Sequence, residues 1–88
     1  MALLDILYYI NNFIYKIQSV IFNKTNYNFN TSKKYILDNN FKIRRVDITK
    51  NYYRFRQLEP NYLLRNNYTI IRTKQIKPGI KLMLYYKK

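Results

Sequence analysis

Arg54 and Arg56 stand two residues apart, with Phe55 between them and Tyr53 just before. Successive side chains of an extended chain point to opposite faces, so the two guanidinium groups share one face and the two rings the other. If Tyr53 and Phe55 face a core, both arginines point outward. Arg44 and Arg45 precede them, and one of that pair is expected to join the same face. Arg72 with Lys74, and Lys81 with Lys87, repeat the same-face spacing further along. Guanidinium forks suit bidentate contact with phosphate, and an ammonium supplies a point charge. A sheet face with this many cations is not buried unpaired, so it is either solvated or turned towards a polyanion. Arg44, Arg45, Arg54, Arg56, Arg72, Lys74, Lys81 and Lys87 are therefore the candidate nucleic-acid contacts. Tyr52, Tyr62, Tyr68 and Tyr85 lie among them and either stack on bases or complete a small core.

The charge balance points the same way. The chain has 88 residues, with 17 basic against 4 acidic side chains and a net charge of +13. Residues 1–40 carry a net +2 and residues 41–88 a net +11, and all six arginines lie beyond residue 43. Solubility alone asks for a net charge of roughly 2–8 in a small domain, so the excess favours a polyanionic partner. Asn, Ile, Lys, Tyr and Phe make up 51 of the 88 residues, and their codons are rich in A and T. In such a background lysine is the expected cation, which makes the arginines informative.

Several chemistries lack their residues. With no cysteine and no histidine there is no disulfide, no thiolate nucleophile and no ordinary zinc site. Asp5, Asp38, Asp47 and Glu59 are the only carboxylates, and no two are spaced as an obvious acid–base pair. The expectation is a protein that is not an enzyme and that needs neither metal nor cofactor. One catalytic alternative uses Arg and Tyr on an antiparallel sheet, as in ribonuclease toxins of the RelE type. Tyr53, Arg54, Arg56 and Arg72 echo that inventory, but those toxins begin with a strand.

The elements that must position these residues divide the chain in two. From Leu3 to Phe22 apolar residues recur at Leu3, Ile6, Leu7, Ile10, Phe13, Ile14, Ile17, Val20 and Ile21, and this spacing predicts one amphipathic helix over 1–22. Asp5 suits its first turn. The polar stripe argues against a membrane span, and the acidic start against a secretory signal. Leu3, Ile6, Ile10, Phe13 and Ile17 are the candidate interface to a homo-oligomer or a larger assembly, if that face is not simply core. Residues 23–40 read as an Asn-rich connector and a short helix of about Lys33–Asp38, capped by Thr31 or Ser32. Residues 41–88 read as four strands, 41–48, 52–58, 68–76 and 80–87. Lys77-Pro78-Gly79 is expected to make a type II turn before the last of them. The expected fold is a single α+β domain, with the long helix and the short helix packed on a four-stranded antiparallel sheet.

The stretch Tyr53-x-Phe55-Arg56-Gln57-x-x-Pro60, followed by Arg72-Thr73 and Gly79-Ile80-Lys81-Leu82, resembles a small domain of phage and large-DNA-virus proteins. That domain runs Tyr-x-Arg-x-Arg-Gln-x-x-Pro, Arg-Thr and Gly-Ile-Lys before an apolar strand. The likeness covers about the last third of the chain, and Leu63–Asn67 and the tyrosine-rich end depart from it. It implies a viral origin and no particular activity. Together these readings lead to a small, non-secreted nucleic-acid-binding protein, intracellular or in a virion. The alternative is a virion structural or assembly component that docks through its N-terminal helix.

Overall fold

The computed structural model describes residues 15–87. Five strands and two helices follow one another: β1 (Tyr15–Asn23), α1 (Phe29–Asp38), β2 (Arg45–Ile48), β3 (Tyr52–Arg56), α2 (Pro60–Arg65), β4 (Tyr68–Lys77) and β5 (Ile80–Lys87). The strands form one sheet in the order β2-β3-β1-β5-β4, with every neighbouring pair antiparallel.

This overturns the expected long helix and the four-stranded count. Residues 15–23 are a strand, and it lies at the centre of the sheet between β3 and β5. The part of the expected helix before Tyr15, with Leu3, Ile6, Ile10 and Phe13, lies outside the described residues. A β-bulge explains why the spacing misleads. Ile17 pairs with Leu84 and Ser19 with Met83, so Gln18 is an extra residue on β1. The core-facing set is Tyr15, Ile17, Val20 and Phe22, in which the bulge stretches one two-residue step to three. Ile21 is buried on the other face. Ile17, Val20 and Ile21 therefore carry the i, i+3, i+4 signature of a helix while lying in a strand that is buried on both faces, by Val20 and Phe22 on one and by Ser19 and Ile21 on the other.

The core forms on one sheet face, from Tyr15, Val20, Phe22, Phe55, Ile80, Leu82 and Leu84, and Ile36 of α1 covers it. Phe22 is its hub. Its ring meets Tyr27, Tyr35 and Phe55 edge-on at 5.3, 5.7 and 5.4 Å. Such contacts suit the ring quadrupoles and add to plain area burial. α1 begins four residues before the expected start, because Asn28 is its cap. Asn28 Oδ1 accepts from the Thr31 amide at 2.8 Å, and Thr31 Oγ1 accepts from the Asn28 amide at 3.0 Å. This reciprocal box puts Thr31 and Ser32, the expected caps, inside the helix.

β2 is shorter than its pattern suggests. Phe41–Arg44 runs outside the ladder, and the Gln57 side chain stands in for a strand there. Its Oε1 accepts from the Lys42 amide and its Nε2 donates to the Lys42 carbonyl, each at 2.8 Å. The connection from β3 to β4 carries α2, with Pro60 at its start and Leu63 fully buried. β4 and β5 close as a hairpin through Pro78-Gly79, where Gly79 has φ +82°.

Candidate nucleic-acid interface

The face opposite α1 collects the basic side chains. Phe55 is fully buried on the helix side, which turns Arg54 and Arg56 to the reverse face. The β2–β3 register sets Arg45 beside Arg56 and Asp47 beside Arg54, so Arg45 joins them. Arg44 precedes β2 and donates from Nη1 to the Gln57 carbonyl at 2.9 Å. On β5, Lys81 and Lys87 alternate onto the arginine face, and Lys81 shares Ile21 as a cross-strand neighbour with Arg54. Arg72 and Lys74 do share a face, but it is the other one, because they pair with the core residues Leu84 and Leu82. They extend along the outer strand β4. The eight candidate cations thus divide into five on one face, two on its reverse and one in a loop.

The arginines are not equivalent. Arg56 Nε lies 2.6 Å from Asp47 Oδ2, and its Nη1 is 3.9 Å from Glu59. Asp47 also reaches Arg45 Nε at 3.9 Å. Much of the charge of this pair is answered within the protein. Arg54 differs: its Nε donates to Ser19 Oγ at 2.8 Å and its Nη2 to Gln18 Oε1 at 2.6 Å. Both acceptors are neutral and fully buried, and Ser19 Oγ in turn donates to Gln18 Oε1. Among the described residues no carboxylate lies within ion-pair distance of Arg54. The guanidinium is fixed while its charge stays unanswered, which lowers the entropy that an anion must remove on binding.

The bulge makes this arrangement. The Gln18 carbonyl accepts from the amides of Gln57 (2.7 Å) and Leu58 (3.3 Å), and its Nε2 donates to the Leu58 carbonyl at 2.9 Å. One extra residue on β1 thereby ties the β3–β4 connection down and leaves Oε1 to hold Arg54. No feature of the amino-acid order marks Gln18 or Ser19 as arginine partners. Lys16 is a further basic residue on this face, opposite Tyr85, and assigning it to a helix conceals it.

The tyrosines also differ. Tyr85 is buried, so it serves packing. Tyr52 and Tyr68 are half-buried with lysines over their rings, Lys81 Nζ at 4.8 Å and Lys87 Nζ at 5.6 Å from the centroids. Tyr62 is exposed on α2. Ile17 packs against the core rather than forming an outer surface. All three described carboxylates are engaged, Asp38 by Lys34 at 2.6 Å and the others as above. The field of the remaining cations is thus uncompensated. Among the described residues no group of three acidic, His or Cys side chains is placed to hold a metal, and no helix is long and apolar enough to cross a membrane. Comparison with known protein families, curated proteins and solved structures finds no match to this chain.

Proposed function

We propose that the protein binds nucleic acid, with the sheet face of Arg45, Arg54, Arg56, Lys81 and Lys87 on the phosphate backbone; Arg72 and Lys74, on the reverse face of the outer strand β4, lie outside that contact. The observation that carries this reading is Arg54, half-buried and hydrogen-bonded to neutral Gln18 and Ser19, while its cross-strand neighbour Asp47 pairs with Arg56 and Arg45 instead. An arginine held only to stabilise a fold is more economically paired with an acid, as Arg56 is with Asp47. Backbone recognition accounts for the charge without asking for acid–base or metal chemistry.

The test is the salt dependence of affinity for a mixed-sequence oligonucleotide. Each phosphate contact contributes about −0.9 to the slope of log K against log salt on duplex and about −0.7 on a single strand. Replacing both Lys81 and Lys87 by Ala should shallow the slope by about 1.4 on a single strand. These two are the better targets, because truncating Arg54 or Arg56 also removes hydrogen bonds of the fold. Binding that is absent, or that ignores salt, overturns the reading.

A further inference from the structure

A cavity of about 210 Å³ opens on the arginine face where β1, β3 and the β4–β5 hairpin meet. Ile21, Asn23, Tyr52, Gln75, Gly79 and Lys81 line it. Ile21 is the neighbour of Arg54 across the β1–β3 ladder, and Tyr52 precedes Arg54 by two residues on the same face, so the cavity lies next to the Arg54 position in the sheet, while the guanidinium itself reaches away from it to Ser19 and Gln18. Its size is below the roughly 300–1,000 Å³ of pockets that enclose drug-sized ligands, so it accepts a single ring system rather than a whole dinucleotide.

The rim is chemically specific. Asn23 Oδ1 accepts from both the amide and the hydroxyl of Thr25, at 2.9 and 2.8 Å, which leaves its Nδ2 as a donor. Gln75 Nε2 donates to the Lys77 carbonyl at 3.3 Å, which leaves its Oε1 as an acceptor. A donor and an acceptor beside an apolar floor and a tyrosine ring suit the edge and faces of a nucleobase. The Lys81 ammonium over the Tyr52 ring holds a cation where an incoming phosphate would draw it off the ring.

We propose that this cavity seats one unpaired base of a single-stranded nucleic acid, stacked on Tyr52 and met at its edge by Asn23 and Gln75, with Lys81 on the adjoining phosphate and Arg54 on a phosphate further along β1. The proposal rests on the nucleic-acid reading above and narrows it, because duplex bases are stacked and paired and cannot enter. The experiment compares, across one series of salt concentrations, an oligonucleotide, its duplex and a strand of equal length whose sugars lack bases. Deoxyribose and ribose versions of the intact strand separate DNA from RNA. The intact strand should bind roughly 10-fold more tightly than the abasic one. Tyr52→Leu, which keeps bulk but not the aromatic face, should remove that difference and leave the salt slope unchanged. Equal affinity for intact, abasic and duplex forms overturns the single-strand proposal and spares the parent reading. No salt-dependent binding to any of them overturns both. The abasic comparison uses the unaltered protein, so it stands even if Tyr52→Leu fails to fold.

Discussion

Gly79→Ala should be among the most damaging single-methyl changes in this protein, and its cost can be worked from two independent sources. Gly79 is the only glycine of the chain and sits at φ +82° in the β4–β5 turn. An L side chain in that left-handed region costs about 1–2 kcal/mol. A methyl there would also lie 2.5 Å from Asn26 Cβ and 2.6 Å from Asn26 Cγ, where carbon atoms rest at about 3.5–4.0 Å. Relief requires moving the β1–α1 turn, which is held by Asn26 N to the Asn23 carbonyl (3.0 Å) and Asn23 N to the Gly79 carbonyl (2.8 Å). Losing one or two of these bonds adds about 1 kcal/mol each. The total is about 2–4 kcal/mol, against roughly 4–13 kcal/mol for a chain of this length. Urea unfolding followed by circular dichroism at constant m would read the loss directly, and Tm should fall by on the order of 10–25 °C. Asn26→Gly in the Gly79→Ala background removes the clashing carbons, so it should restore the steric share and leave the backbone share. A loss under about 0.5 kcal/mol, or strictly additive effects of the two positions, would refute this account of the turn.

Two further outcomes follow from named contacts. Asp47→Asn breaks the 2.6 Å pair with Arg56, whose two side chains are 29% and 22% exposed, so the cost should be about 1 kcal/mol in urea unfolding. The same change frees cationic surface, so nucleic-acid affinity should rise with a steeper salt slope; a fall in affinity at low salt would contradict the interface. Burial raises the pKa of Tyr35 above the ordinary tyrosine value, and the nearby Tyr27 adds to it. The folded state thus favours the neutral phenol, so this contribution is intact below about pH 10 and is lost as pH climbs towards the folded value. Tyr35→Phe should flatten that part of the alkaline stability curve, and an unchanged curve would show that Tyr35 is not its source.

The β4–β5 hairpin was legible because its information is local. Pro78-Gly79 admits few turn geometries, and Ile80, Leu82, Leu84 and Tyr86 alternate without interruption. The opposition of Arg54 and Arg56 to Phe55 follows in the same way from a two-residue period within one strand. Other features depend on which residues meet across the sheet. That Arg72 and Lys74 share a face could be read from their spacing, but which face depends on the register of β4 against β5. Three described carboxylates serve this many cations, and only the tertiary arrangement decides that Arg56 takes Asp47 while Arg54 is left to Gln18 and Ser19.

The first segment shows the limit most clearly. A strand buried on both faces and interrupted by a bulge has the apolar spacing of a helix, so the order of residues 15–23 is compatible with either conformation. Strand pairing with β3 and β5, which are distant in the chain, decides between them by satisfying the backbone of both edges. The amino-acid sequence by itself determined the charge of residues 41–88, the side-chain alternation in β3 and β5, and the turn at Gly79. The central strand, the Gln18 bulge and the unanswered charge of Arg54 come from contacts between distant residues, which no local pattern encodes.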